Sequence, residues 1–225
     1  MSDLRLHVVS EGDLGTPIVF VHGLGTSADS WSEVMVNLRT DHRVLAVDLL
    51  GHGRSPAPDD PAEYTRDRAL ADIDALLATL PEAAVLVGHS LGGYLALAHA
   101  ATRPDVAKGI VVINTGPGFR DAGKREAWNE RSRRNAHRFA VPPAAAELNL
   151  QHDSVVIDRL ADIAVPTLVL AGGDDRPEYR VSGEYMAGKM PHCRLVVVDG
   201  GGHSLHEHTH ATEVADLVRA FVAAL

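Results

Sequence analysis

Gly88-His89-Ser90-Leu91-Gly92 sets a serine between glycines two residues before it and two after it. Val85-Leu86-Val87 ahead of it reads as a buried strand, and Leu91 to Leu97 opens an apolar, helix-forming run. A strand, a glycine-flanked serine and a helix make a nucleophile elbow, in which the serine sits on a strained turn with its hydroxyl exposed. Glycines belong there because so sharp a turn leaves no room for side chains. A serine hydroxyl is a poor nucleophile near neutral pH, so it needs a base within hydrogen-bond reach and an acid to orient that base.

Residues of both types follow later strand-like runs. Gly200-Gly201-Gly202-His203 comes after Arg194–Val198, and the glycines let the backbone bring His203 over the sheet towards Ser90; His203 is the expected base. For the acid, Gly172-Gly173-Asp174-Asp175 follows the run Pro166–Ala171. Either aspartate could serve, or could simply hold the turn. Asp199 is a weaker third candidate because it lies so close to His203 in sequence. His206, His208 and His210 alternate as chelating histidines do, but no cysteine or H-E-x-x-H arrangement supports them, so they are expected at solvent or at a helix start, with no metal and no cofactor. Acyl transfer also needs donors for an oxyanion. The Leu91 N–H, at the start of a helix, is one. The loop His22-Gly23-Leu24-Gly25 can turn the Leu24 N–H inward as the second.

The elements that must position these groups alternate along the chain. Strand-like runs fall at Leu4–Val9, Pro17–Val21, Val44–Val47, Val85–Val87, Ile110–Ile113, Pro166–Ala171 and Arg194–Val198. Helical periodicity fills the intervals at Ser27–Leu38, Thr65–Leu80, Leu91 to about Arg103, Ser154–Ile163, Glu178–Met190 and from Val214 to the end. Such alternation implies an α/β fold: a mostly parallel, twisted sheet of about seven strands with helices on both faces. The alternation breaks at 116–152, which contains a charged helical segment from Ala122 to Phe139 and the pair Pro142-Pro143. This stretch has too few apolar residues for a core of its own and reads as a short helical lid inserted into a single domain covering 1–225.

The 225 residues suffice for one domain with a sizeable core. Apolar content of 45% and a mean hydropathy of −0.03 are ordinary for a globular protein. A net charge of −9 argues against nucleic acid as a partner. No apolar run approaches membrane-span length, and Met1-Ser2-Asp3-Leu4-Arg5 does not resemble the start of a signal peptide. The single cysteine, Cys193, is expected to pack or sit in a loop and fits a reducing compartment, so the expected location is cytoplasmic.

Taken together, His22–Gly25, Asp48–Ser55, Gly88–Gly93, Pro166–Asp175 and Gly202-His203 resemble the α/β-hydrolase fold family, in particular its lidded serine esterases and carbon–carbon-bond hydrolases. The resemblance implies Ser90, Asp175 and His203 as the catalytic set. Asp175 is preferred because relatives carry the acid three residues after the glycine that closes its strand. It implies Leu24 and Leu91 N–H groups as the oxyanion hole, and Asp48–Ser55 as a structural turn. His22, Trp128 and Phe139 are the candidate side chains of the substrate pocket and lid. Relatives that open epoxides or cleave carbon–halogen bonds carry aspartate at the elbow, and Ser90 departs from them. The expected activity is hydrolysis of a small ester-type substrate. The alternative is carbon–carbon hydrolysis or a lyase reaction on a carboxylated substrate, favoured by the lid's Arg120, Lys124, Arg125, Arg131, Arg133, Arg134 and Arg138. Those charges could also be a solvated face paired with Asp121, Glu126 and Glu130. A ligand-binding receptor without catalysis is a third possibility. The expected partner is a small-molecule substrate, with the oligomeric state left open.

Overall fold

The computed structural model describes residues 6–104 and 106–225. In chain order it forms β1 (Val8–Glu11), β2 (Ile18–Val21), α1 (Ser32–Leu38, entered through a 3₁₀ turn at Ala28–Trp31), β3 (Val44–Val47), α2 (Arg66–Leu77), β4 (Val85–His89) and α3 (Leu91–Thr102). These are followed by β5 (Gly109–Ile113), α4 (Ala122–Asn135), α5 (Val155–Asp158), β6 (Thr167–Gly172), α6 (Pro177–Ala187), β7 (Cys193–Val198) and α7 (Ala211–Ala223). The first strand begins later than its apolar pattern suggests, and Leu4 and Arg5 lie outside the described residues. The helix expected from Ala122 to Phe139 ends at Asn135 and continues as 3₁₀ over Ala136–Arg138. Cys193 is in a strand, half-buried and packed against the core.

The seven strands form one sheet in the order β1-β3-β2-β4-β5-β6-β7, parallel except for β1, which runs antiparallel to β3. Strand residues alternate between two apolar clusters, because successive side chains point to opposite faces. Val19, Val21, Leu86 and Val112 meet Leu70 and Ile73 of α2 and Leu95 of α3 on one side. Ile18, Phe20, Val87 and Val111 meet Met35 of α1 and Val218 and Phe221 of α7 on the other. With both faces covered, strands β2 to β6 are buried throughout, which is why they read as continuous apolar runs rather than alternating ones. Each large apolar side chain removed from water contributes about 1.5–3 kcal/mol, so these two clusters, more than helix propensity, hold the layers together. Residues Leu91 to Ala101 of α3 are all buried, as in a helix enclosed on every side.

The strand order reverses at β2, since β3 lies on one side of it and β4 on the other. In an open α/β sheet that reversal opens a crevice at the carboxyl ends of the two strands. His22 and Ser90 are the first residues past β2 and past the His89 end of β4.

Candidate active site

At Ser90 the backbone adopts φ 50° and ψ −111°, a conformation rare for a residue with a side chain. Its N–H donates to the Ile113 carbonyl at 2.9 Å, which ties the turn to the end of β5. The flanking glycines cannot be replaced without moving backbone. A Cβ at Gly88 would lie 2.2 Å from the Gly92 carbonyl oxygen, and one at Gly92 only 2.1 Å from that of Val21.

Three side chains meet in line at this turn. His203 Nδ1 lies 2.7 Å from Asp175 Oδ2, and His203 Nε2 lies 3.3 Å from Ser90 Oγ. Asp175 is nearly buried, at 5% exposure, and its other oxygen accepts the Arg176 N–H at 2.7 Å. A carboxylate on Nδ1 fixes the tautomer that leaves Nε2 free to accept a proton. The other acidic candidates lie elsewhere: Asp174 is exposed, and its N–H donates to the Gly201 carbonyl, while the Asp199 carbonyl accepts from His210 Nε2 at 3.2 Å.

Leu91 follows directly as the first residue of α3. The loop after β2 lies against the elbow, since a Cβ at Gly23 would stand 3.4 Å from Ser90 Cβ. The Gly23 carbonyl accepts from His22 Nδ1 at 2.7 Å and from Thr26 Oγ at 3.0 Å. Peptide planarity then turns the Leu24 N–H to the opposite side from those donors. His22 is therefore a correction to the expected pocket residues. It is fully buried, does not line the cavity, and braces the loop from behind, accepting the Leu49 N–H on Nε2 at 3.0 Å. Burial, with nearby His52 second, lowers its pKa to about 4 and keeps it neutral, as an accepting Nε2 requires. Asp48 is held as part of the turn: burial opposes its charge, but the Ala28 and Arg54 N–H groups outweigh that and depress its pKa.

Ser90 opens into a cavity of about 450 Å³ walled by Leu91, Tyr94, Phe119 and Trp128 on one side and Tyr179 on the other. Trp128 lines the cavity as expected of a lid residue, and its indole N–H donates to the Asn149 carbonyl at 3.2 Å. Phe139 does not line it. That ring packs over Gly25, where a Cβ would come within 2.7 Å of it, because the helix has ended four residues earlier and the chain has turned outward. Ser132 faces neither solvent nor cavity; it accepts from Asn149 Nδ2 at 2.7 Å and, with Asn129, joins α4 to 149–151.

Residues 18–217 match the Alpha/beta hydrolase family. The chain is 30% identical, over 253 aligned positions, to the pimeloyl-[acyl-carrier protein] methyl ester esterase of Xanthomonas campestris pv. campestris, covering 94% of this chain and 96% of that protein. The chain belongs to the α/β-hydrolase family. It is an enzyme, a hydrolase of the α/β type. It is also similar to epoxide hydrolase 4 of Mus musculus, 36% identical over 115 residues, which cover 50% of this chain and 32% of that protein. The fold is that of MenH from S. aureus, with a TM-score of 0.85 at 20% identity over 97% of this chain and 98% of that one. Among the described residues no helix is long and apolar enough to cross a membrane.

Within this α/β-hydrolase frame, two residues at the site escaped the sequence reading. Asn114, just past β5 and at φ 46°, donates from Nδ2 to the carbonyls of Gly202 (2.9 Å) and His203 (2.7 Å), and accepts the Gly172 N–H at 2.8 Å. His89 donates from Nε2 to the same His203 carbonyl at 2.9 Å. The only advance signal was position: His89 stands at a strand end beside Ser90, and Asn114 merely follows a strand end.

His206 is a further correction. It is fully buried, not at solvent or a helix start, stacked between Trp31 (ring centroids 4.2 Å apart) and His89 (4.3 Å), with His203 continuing the column 4.9 Å beyond His89. Burial, then the neighbouring His203, pushes its pKa down to about 3. His208 turns to Glu33 and His210 to the Asp199 carbonyl, so the three alternating histidines diverge.

Proposed function

We propose that this hydrolase is a serine hydrolase acting on a small ester-type substrate through an acyl-enzyme. Ser90 Oγ attacks the carbonyl carbon while His203 Nε2 takes its proton. The oxyanion is held by the N–H groups of Leu91 and Leu24. His203 then protonates the leaving oxygen as its bond to carbon breaks. A water that gives its proton to His203 attacks the acyl carbon, and Ser90 leaves with that proton restored. Asp175 keeps the imidazole oriented and stabilises its charged form. Segment 116–152 acts as the lid of a single domain, and the enzyme works in the cytoplasm.

The observation that carries this reading is the line Asp175–His203–Ser90, at 2.7 and 3.3 Å, opening onto a cavity of about 450 Å³. The ester named for the Xanthomonas relative supports it. Serine at the elbow weighs against epoxide opening, despite the likeness to an epoxide hydrolase. Ser90→Ala is expected to remove aryl-ester turnover while leaving the melting temperature within a few degrees, and a fluorophosphonate probe is expected to label the wild type at Ser90 alone. Retained turnover in the variant overturns the assignment.

A second reading, carbon–carbon hydrolysis or a lyase reaction on a carboxylated substrate, uses the same three side chains. Basic residues at the cavity favour it. It requires that neutral aryl esters be turned over slowly.

A further inference from the structure

The lid's basic residues fall into two groups. Arg120 pairs with Asp158 at 2.6 Å and Arg133 with Glu126 at 3.0 Å, while Arg125 donates to the carbonyls of Phe119 and Arg120. These cations are satisfied by the protein. Of the acidic partners expected for the lid charges, Asp121 instead caps α4, accepting the Lys124 N–H at 2.8 Å. Lys124, Arg131 and Arg134 of α4, and Arg176 just before α6, form no ion pair with a carboxylate among the described residues, and all four line the cavity that holds Ser90.

Their placement follows from the helix period. Positions 124, 128, 131 and 134 are spaced by three or four and 127 lies beside them, so they share the face of α4 turned to the cavity. Against four cations the lining carries one carboxylate, Glu178, in a chain whose net charge is −9. Like charges gathered this way repel one another, and Glu178 is the one carboxylate in the lining to set against them. Two of the guanidiniums are also oriented. Arg131 lies 4.9 Å from the centre of the Trp128 ring, and Arg176 lies 4.9 Å from that of Tyr179, whose hydroxyl it also contacts. Stacking on a ring fixes the plane of a guanidinium while leaving N–H edges for a bidentate acceptor. The Tyr179 ring lies 5.0 Å from that of His203, so this wall adjoins the reacting groups.

We infer that the cavity is a subsite for an anionic oxyacid group, a carboxylate or a phosphate, carried by the substrate and held by Arg131 and Arg134 with Lys124 and Arg176. The apolar walls Leu91, Phe119 and Trp128 take the chain between that group and the carbonyl at Ser90. A cavity of about 450 Å³ has the size of a site for a small organic acid derivative. The inference rests on the reading of Ser90 as the reacting centre.

The test compares three aryl esters of matched length, with acyl chains ending in a methyl, a carboxylate or a phosphate. Wild type is expected to prefer one of the anionic esters over the methyl-ended one by at least about 10-fold in kcat/KM, since hydrogen bonds to charged groups are worth roughly that each. The better of the two anionic esters identifies the group. In the double variant Arg131→Gln/Arg134→Gln the preference should fall at least about 10-fold, through KM. Arg133→Gln removes one positive charge from the outer face of α4 and should keep the preference. Equal use of all three esters by wild type, an unchanged preference in the double variant, or an equal loss in Arg133→Gln overturns the inference. Calorimetry with Ser90→Ala reads the subsite without turnover: glutarate or inorganic phosphate should bind, and the triple variant with both arginines replaced should not. If neither anion binds to Ser90→Ala while the fluorophosphonate still labels wild-type Ser90, the subsite fails and the hydrolase reading stands. If an anion binds and no label appears, the Ser90 reading fails and takes the substrate role of the subsite with it, leaving an anion-binding cavity.

Discussion

Asn114 shows how much of the site's geometry rests on one uncharged side chain. Its amide links the ends of β5 and β6 to the loop that carries His203, using both donors and its acceptor. Asn114→Asp keeps the acceptor for the Gly172 N–H but turns an anionic oxygen towards two carbonyls. The expected result is a kcat at least about 10-fold lower with KM little changed, because a displaced imidazole affects the chemical step. Stability should also fall, by about 1–3 kcal/mol for the buried partners left unsatisfied. A stability loss with kcat intact would show that Asn114 only supports the fold. Sequence could not single this residue out. Ile110–Ile113 announces a strand, but what an asparagine after it touches depends on residues 58 or more positions away. His206 was misplaced for a related reason. Its neighbours Glu207, His208 and His210 look like a polar loop, and only the meeting of Trp31 with His89 makes a buried slot for its ring. The meeting of Asp175 with His203, by contrast, follows what the family resemblance implied, and that resemblance is carried by a local spacing from the strand's last glycine.

At the level of elements, the elbow is a contact between backbones. Strand β4 and helix α3 close on each other so tightly that Gly88 faces the Gly92 carbonyl, and Gly92 faces that of Val21 in the next strand. Gly92→Ala should therefore shift α3 away from β2. Fluorophosphonate labelling is expected to slow by more than about 100-fold, with a melting temperature lowered by several degrees; a variant that labels at the wild-type rate would show that the packing relaxes at no cost to the turn. Strands and helices were readable because their signals are periodic and local. Segment 116–152 was readable only as a charged helix. Which face of α4 meets the cavity depends on where the helix stops, and the 3₁₀ turn over Ala136–Arg138 removes Phe139 from the stripe it would otherwise share with Trp128.

Across the whole molecule, buried imidazoles link folding to acidity. His22 and His206 have pKa values lowered from 6.5 to about 4 and about 3, chiefly by burial. Below 6.5 the unfolded chain takes up protons that these folded rings refuse. Their contribution to stability is complete above that pH and is lost as pH falls, at about 1.4 kcal/mol per pH unit for each ring, towards pH 4 for His22 and pH 3 for His206. Denaturant midpoints measured from pH 7 to pH 5 should fall accordingly. His206→Phe, which preserves the stack on Trp31, should flatten that slope by one ring's share. An unchanged slope would mean that His206 protonates in place.

The cation-lined cavity has a consequence for the far end of the reaction cycle. Cleavage of an ester turns a neutral group into an acid, so the acyl fragment leaves the centre one charge more negative than it arrived. If the proposed subsite holds, walls that carry four cations without a carboxylate partner, against a single carboxylate in the lining, should hold that fragment more firmly than its parent. On the proposed ester reading, the acid product is therefore expected to compete with substrate for the same walls as it accumulates.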